Sequence, residues 1–347
     1  MTNVAKKVKW GVLGTASIAH GCTIPGMLQA DNCELYAIAG RNMAKAEAFK
    51  EEFGFEVAYG DYESLLNDEK VEAVYIPLPN DLHYEWVMKA IKAGKHILCE
   101  KPIVPTKKQA EELFKAAKEK GVLLMEAFAY LHSPYVLSLK KDLESGIIGD
   151  VEYIESAFLT QGYDLSNIRM YKDKFGGAMY DLGCYCISLI LWLIGRKPEK
   201  IKGLAEFTDL GVDSFSTAYM EFPGKASSTD TSASAGMAPT AGPITASIRC
   251  GMNLGTSRPG RMDYTFIYGT KGYIKSGVEY NQEGDLQYKI YTDDGEIVRN
   301  ISAKKNYRLE VEQLVRCILE GEKPHVSEDF SLLEAEVLEE AIKAIGY

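Results

Sequence analysis

Short apolar strands alternate with helical patterns through residue 126, and long stretches of alternating polarity dominate from residue 127 onward. These two observations predict an α/β Rossmann domain over 1–126, followed by an α+β domain with a large, mostly antiparallel open sheet over 127–347. Strand–helix alternation at this spacing gives βαβ units, hence a parallel, doubly wound sheet with right-handed crossovers. Strict alternation gives strands with one wet face, as in antiparallel sheets. A chain of 347 residues is long enough for two such cores.

Residues 8–13 (VKWGVL) read as a first buried strand ended by Gly14. A helical pattern follows at Ile18, Ala19, Ile24 and Met27, and Pro25 must end or kink it. Strands are then predicted at 33–39, 71–76, 96–99 and 122–125, with helices at 45–53, 81–93 and 107–120. In the second half a helix is expected over 135–145, and strands at 151–158, 201–207, 214–222, 264–268 and 287–291. One strongly apolar helix (YDLGCYCISLILWLI, 180–194) interrupts them, and two more close the chain at 308–320 and 332–345. Residues 224–245, rich in Ser, Thr, Ala and Gly, read as a mobile surface insertion between two strands.

Composition excludes several classes. The formal net charge is −10, with only short lysine pairs such as Lys6-Lys7 and Lys107-Lys108, so no nucleic-acid partner is expected. The seven cysteines lack any CxxC pair, so neither a zinc site nor a disulfide framework is expected, and no metal is required. No run approaches the ~20 apolar residues of a membrane span, and no secretory signal is visible; a cytoplasmic location follows by default.

The first strand runs into Gly14-Thr15-Ala16-Ser17-Ile18, where small residues let the backbone approach a pyrophosphate and the next helix points its N–H groups at the anion. The fingerprint is imperfect, because Ala16 and Ala19 stand where glycines are usual. Position, directly after a first strand, is what gives it weight. At the end of the second strand an NAD site would carry an acid for the ribose 2′-hydroxyl. Here the chain reads Ala37-Ile38-Ala39-Gly40-Arg41, and a guanidinium pairs with a 2′-phosphate. NADP is therefore expected rather than NAD, with Lys45 a turn further on. The plain alternative for Arg41 is a surface residue at a helix start.

Residues 95–102 read Lys-His-Ile-Leu-Cys-Glu-Lys-Pro. With Pro77-Leu78-Pro79-Asn80-Asp81-Leu82-His83, Met125-Glu126-Ala127-Phe128, the stretch Gly176-Gly177-Ala178-Met179-Tyr180-Asp181-Leu182-Gly183-Cys184-Tyr185, and Tyr268-Gly269-Thr270-Lys271-Gly272-Tyr273-Ile274, this resembles the glucose–fructose oxidoreductase / inositol dehydrogenase (Gfo/Idh/MocA) family over nearly the whole chain. The resemblance implies that Lys101 works with Asp181 and Tyr185. It also implies a cofactor site drawn from Gly14, Thr15, Ala16, Ser17, Ile18, Arg41, Leu78, Pro79, Asn80, His83, Glu100 and Lys101. Many members carry histidine where Tyr185 stands; the tyrosine version resembles the branch with dimeric dihydrodiol dehydrogenase and NADP-dependent D-xylose dehydrogenases. A sugar or trans-dihydrodiol substrate is implied, as is a homo-oligomer paired through the second-domain sheet.

Ligands of open α/β sheets bind beyond the carboxyl ends of the strands, where Asn80 and Lys101 lie. Asp181 and Tyr185 are four apart, on one helical face. Oxidising an alcohol requires removal of a hydride and a proton. A phenol of pKa roughly 10 is a poor base unless a cation favours its phenolate. Tyr185 is therefore expected to transfer the proton, Lys101 to tune it and bind the reacting oxygen, and Asp181 to orient a neighbouring hydroxyl. From spacing alone, Tyr185 reads equally as a packed helix residue, Asp181 as a helix-start carboxylate and Lys101 as a surface lysine. Tyr163, Asp164, Arg169 and Tyr171 are a candidate substrate rim, and Trp192 is expected in the core. Two rivals remain within the resemblance: an NAD-dependent glycosidase and a non-catalytic dinucleotide-sensing regulator.

Overall fold

The computed structural model describes residues 6–224, 242–254 and 260–347. The chain divides into two units, Met1–His132 with Lys304–Leu332, and Ser133–Ala303 with Leu333–Tyr347.

In the first unit, strands β1 (Val8–Leu13), β2 (Cys33–Ala39), β3 (Val57–Tyr59), β4 (Ala73–Ile76), β5 (His96–Glu100) and β6 (Leu124–Ala127) form one sheet in the order β3-β2-β1-β4-β5-β6. Every pairing in it is parallel. Chain order reverses at β1, between β2 and β4, so the carboxyl ends of those strands form the crevice where this architecture binds ligands. The helices are α1 (Ile24–Gln29), α2 (Met43–Phe53), α3 (Tyr62–Leu66), α4 (His83–Lys92) and α5 (Lys107–Lys120). Local chemistry sets their ends: Asn42, Asp61 and Thr106 cap α2, α3 and α5 by accepting from Lys45, Ser64 and Gln109 N–H groups. Gly54 and Gly121 close α2 and α5 in the left-handed conformation. Pro25 does not end the first helix. A π turn over Ala19–Thr23 widens the chain just before it, and α1 continues through the proline. Strand β3 and helix α3 are absent from the sequence expectation, being too short to show a period.

The second unit opens with α6 (Pro134–Glu144) and holds α7 (Cys184–Ile194). Its strands are β7 (Val151–Gln161), β8 (Lys200–Phe207), β9 (Asp213–Phe222), β10 (Ile244–Leu254), β11 (Arg261–Gly269), β12 (Gly272–Ser276), β13 (Gly284–Thr292) and β14 (Gly295–Ala303). They form one sheet in the order β14-β13-β12-β11-β7-β10-β9-β8. Its pairings are antiparallel except β7 with β10. Helix α7 packs on β7 and β10. Arg299 on β14 ties α6 down through Asp142, whose carboxylate also accepts from Tyr288. The expected insertion over 224–245 falls between β9 and β10, and its residues 225–241 lie outside those described. The stretch Lys172–Ile194 is long and apolar enough to cross a membrane by composition, which the sequence reading did not anticipate; 89% of its most apolar window is buried within the protein. Trp192, expected in the core, is only half-buried, with the Lys140 ammonium 4.5 Å over its ring.

A continuous second domain over 127–347 is not what forms. Residues 127–132 and 304–332 belong to the first unit, including α8 (Asn306–Glu320). The closing helix α9 (Glu328–Ala344) begins in the first unit and ends in the second. Helix α8 lies directly on α1 at Gly26, where an added Cβ would come within 2.9 Å of the Tyr307 carbonyl carbon and the Arg308 nitrogen. Only glycine permits that approach. Gly26→Ala is therefore expected to cost about 1–3 kcal/mol by overpacking. Gly21→Ala, with nothing within 4 Å, serves as the near-neutral control. Urea denaturation of the two variants checks the difference.

Candidate active site

At the nucleotide edge of the first unit, Gly14 has φ +129°, and a side chain there would meet Leu78 Cδ2 at 3.2 Å. The Gly14 N–H donates to Ala39 O at 2.9 Å, tying the turn to the end of β2. Thr15 and Ala16 are half-buried, Ser17 is exposed and Ile18 half-buried as the helix begins. This cradle, open backbone followed by helix N–H groups, fits a dinucleotide pyrophosphate. Arg41 is exposed just beyond β2. Leu78 is buried, while Pro79 and Asn80 are half-buried beyond β4. His83 is fully buried, and its Nδ1 and Nε2 face Pro102 O at 2.9 Å and Leu78 O at 2.8 Å. It works as a strut between the two wall segments, and burial holds its pKa below the usual imidazole value.

Strand β5 delivers Glu100 and Lys101, both half-buried, and the Lys101–Pro102 bond is cis. Tyr75 on β4 donates to Glu100 Oε1 at 2.5 Å and accepts from Thr23 Oγ1 at 2.9 Å. Sequence reasoning missed this relay, because a tyrosine inside an apolar strand reads as core.

In the second unit the chain turns at Gly176 and Gly177 into the apolar helix. A Cβ on Gly176 would lie 2.3 Å from Arg169 O, and one on Gly177, whose φ is +107°, 2.1 Å from Asp213 Oδ1. Asp213 takes that space. It accepts from Met179 N–H at 2.8 Å, Ser216 Oγ at 2.6 Å and Tyr347 OH at 2.7 Å. The helix then opens with a π turn over Met179–Gly183 that contains Asp181, and Tyr185 follows in the first turn of α7. Such widened turns recur at functional sites.

Asp181 is buried and ion-paired with Arg169 (Nε to Oδ2, 2.7 Å), and it accepts from Tyr163 OH at 3.3 Å. The carboxylate holds the guanidinium well above its usual range, with burial opposing. Arg169 also couples electrostatically to Tyr185. The other two rim candidates are spent locally: Asp164 accepts from Ser166, and Tyr171 donates to Leu165 O. The Tyr185 ring packs at 5.4 Å from Phe158 and 5.2 Å from Tyr280, which themselves stack. Arg261 lies 4.3 Å over Phe158, pairs with Asp263 through both Nε and Nη2, and couples electrostatically to Tyr185. These residues were not singled out in the sequence. Only Phe158 fell in a predicted strand; Arg261, Asp263 and Tyr280 lay outside the predicted strands, and nothing local set them apart.

The family model described as oxidoreductase family, NAD-binding Rossmann fold, matches residues 8–128, and the Gfo/Idh/MocA C-terminal domain matches 136–275. The chain belongs to the Gfo/Idh/MocA family. It is an NAD(P)-dependent oxidoreductase of CH–OH groups. A D-xylose 1-dehydrogenase (NADP(+)) of Haloferax volcanii is 32% identical over 328 residues, 93% of each chain. A trans-1,2-dihydrobenzene-1,2-diol dehydrogenase of Mus musculus is 34% identical over 221 residues, 62% of this chain and 66% of that protein. Among solved structures, a 3-ketoreductase from Actinomadura kijaniata in complex with NADP and TDP-benzene superposes with TM-score 0.85 at 27% identity, covering 98% of both chains. Among the described residues, no group of three or more His, Cys, Asp or Glu side chains gathers to hold a metal.

In this Gfo/Idh/MocA oxidoreductase the segment after Lys101 leans on a buried acid. Glu126 on β6 is fully buried and accepts from the Ile103 N–H at 2.8 Å. Burial pushes its pKa from 4.5 to about 7, with the Lys101 charge opposing. The folded value lies above the unfolded one, so Glu126 supports the fold most fully at acid pH. That support fades as pH rises from about 4.5 through about 7. Glu126→Gln keeps the acceptor and removes the titration. The stability of wild type relative to this variant is expected to fall across that window, by on the order of 3 kcal/mol. Denaturant unfolding at a series of pH values checks it.

Proposed function

We propose that this chain is an NADP-dependent dehydrogenase of a neutral ring-shaped polyol, either an aldose such as D-xylose or a trans-dihydrodiol. The observation that carries this reading is the setting of Tyr185. Its phenol couples to two guanidinium groups, Arg169 and Arg261, and each of those is matched by a carboxylate, Asp181 and Asp263. The cations favour the phenolate that must accept a hydroxyl proton. The matched carboxylates offset the charge of both guanidinium groups. Phe158 and Tyr280 add flat apolar faces suited to the C–H face of a ring.

The NADP reading is supported by Arg41, exposed just beyond β2, and by two of the relatives named above, which are described with this cofactor. When bound, the cofactor supplies the hydride acceptor. In the proposed reaction the substrate hydroxyl gives its proton to the Tyr185 phenolate as the carbon gives up its hydride, which leaves a carbonyl. Lys101 holds the reacting oxygen, and Asp181, fixed by Arg169 and Tyr163, orients a neighbouring hydroxyl. Solved structures of the Actinomadura enzyme include variants in which a tyrosine is replaced by phenylalanine and a lysine by alanine or glutamate.

The test is a 340 nm screen of pentoses, hexoses, inositols and diols with NADP and NAD. Turnover is expected on at least one neutral sugar or diol, with NADP preferred; a flat trace across the panel overturns the reading. On the best substrate, Tyr185→Phe is expected to lower kcat by about 10²–10⁴-fold while NADP binding stays unchanged. Full turnover in that variant removes Tyr185 from the chemistry.

We also propose that two copies pair through the outer face of the eight-stranded sheet. Tyr153, Tyr268, Tyr273 and Tyr291 are register partners across four strands of that face, and the last three stack at 5.6 and 4.7 Å. Tyr268, Tyr273 and Met262 are exposed there, although aromatic side chains are favoured in buried contacts. Light scattering is expected to give the mass of two chains for the wild type and of one chain for a Tyr268→Glu/Tyr273→Glu variant.

A further inference from the structure

The Gly177 peptide, where the chain enters the apolar helix, touches both members of the Arg169–Asp181 ion pair. Its N–H donates to Arg169 O at 2.8 Å, and its carbonyl accepts from Asp181 N–H at 3.1 Å. Two groups from distant parts of the chain fill its open side. A Cβ at Gly177 would lie 2.1 Å from Asp213 Oδ1 and 2.6 Å from the Tyr347 hydroxyl. The two oxygens of Asp213 are held separately. Oδ2 accepts from Met179 N–H and Ser216 Oγ, whereas Oδ1, the oxygen that faces Gly177, accepts from Tyr347 OH at 2.7 Å. The same hydroxyl accepts from Asp213 N–H at 2.8 Å, so it grips both the side chain and the backbone of residue 213. We propose that Tyr347 is a positioning residue for the oxidoreductase reaction: acting through Asp213, its hydroxyl fixes the Gly177 peptide and so holds the Arg169–Asp181 pair in place relative to Tyr185.

Tyr347 is itself anchored. Its ring meets Phe207 edge-on at 5.1 Å and Tyr180 at 6.3 Å, and the Lys172 ammonium lies 5.3 Å over it. Burial and the neighbouring Asp213 carboxylate raise its pKa, so the phenol keeps its proton and remains a donor. A carboxylate engaged at both oxygens is held against rotation, and losing the donor at Oδ1 frees the oxygen that packs on Gly177. Misplacement of a reacting group by about 1 Å costs on the order of 10²-fold in rate, even when the altered residue is far from the chemistry. The inference rests on the reading of Asp181 and Tyr185 as the groups that meet the substrate, and adds to it a residue that no sequence motif marked.

The test compares Tyr347→Phe with Tyr288→Phe, in which a tyrosine of the same unit loses an equivalent bond to a carboxylate, that of Asp142 on α6. Both variants keep their rings. Turnover is followed at 340 nm on the best substrate of the screen above, and urea denaturation gives the stability of each variant. Tyr347→Phe is expected to lower kcat by about 10- to 100-fold. Tyr288→Phe is expected to leave kcat unchanged at a comparable loss of stability. Full turnover in Tyr347→Phe, or an equal loss of turnover in both variants, overturns the proposal. In an Asp213→Asn background Tyr347→Phe is expected to cost less, because the two residues act as a unit, and full additivity overturns action through Asp213. A crystal structure of Tyr347→Phe reads the geometry without a substrate. The Arg169–Asp181 pair is expected to be displaced in it, and an unmoved pair overturns the proposal whatever the activity. A displaced pair with full turnover shows that Asp181 does not orient the substrate; the reading of the site then fails and takes this inference with it.

Discussion

The apolar helix of the second unit depends on one buried carboxylate occupying the space that a side chain at residue 177 would need. Asp213 comes from β9, far away in the chain, and accepts from Met179 N–H, Ser216 Oγ and Tyr347 OH. Burial pushes its pKa up and the three donors pull it back. A carboxyl so placed is costly to desolvate unless each lone pair is used. Its reward is positional. The first turn of the helix has no intrahelical partner for its N–H groups, and a fixed acceptor there sets where the π turn begins. Asp181 and Tyr185 inherit their direction from that point. Gly176 and Gly177 are thus required by contact on two sides, from Arg169 O and from Asp213, and not by flexibility.

Around Tyr185 the protein keeps two arginine–carboxylate pairs where an apolar lining would be less costly. Paired charges in a low-dielectric setting often contribute no net stability over well-packed hydrophobic residues. What they add is an oriented field. Arg169, in the loop before the helix, and Arg261, on β11, both couple electrostatically to Tyr185. Neither cation is left over. Asp181 saturates one, and Asp263, itself held by the Tyr280 N–H, saturates the other. In the proposed reaction this arrangement would stabilise the charge that appears during proton transfer.

Much of the first unit was legible because its signals are local. The sequence placed β1 and β2 at their observed bounds, and α5 as well, since Thr106 and Gly121 punctuate it at both ends. What stayed hidden depends on contacts between distant segments. The return of α8 onto α1 at Gly26 leaves no trace in either helix's own pattern. Strand β10 went unseen because Ile244–Leu254 mixes small and polar residues, and pairing with distant β7 and with β9 makes it a strand. The candidate residues Lys101, Asp181 and Tyr185 were picked out by motifs. Their partners were not: Tyr75, Phe158 and Tyr280 look like core, Glu126 sat inside a quoted motif with no role attached, and Arg169 was grouped with Asp164 and Tyr171, which turn elsewhere.

Glu126 shows why such partners matter for chemistry. Burial pushes its pKa up to about 7, and hydrogen bonds from Ser331 and the Ile103 N–H, together with the Lys101 charge, oppose the rise. Electrostatic coupling is mutual, so an ionised Glu126 favours the ammonium form of Lys101 to the same degree. Glu100 is a second acid beside Glu126, and it raises rather than lowers the Glu126 pKa. Its own charge is shared with the Tyr75 hydroxyl and, through that, with Thr23. The carboxyl ends of β5 and β6 gather these groups through the parallel register that sets Cys99 beside Glu126 and Glu100 beside Ala127.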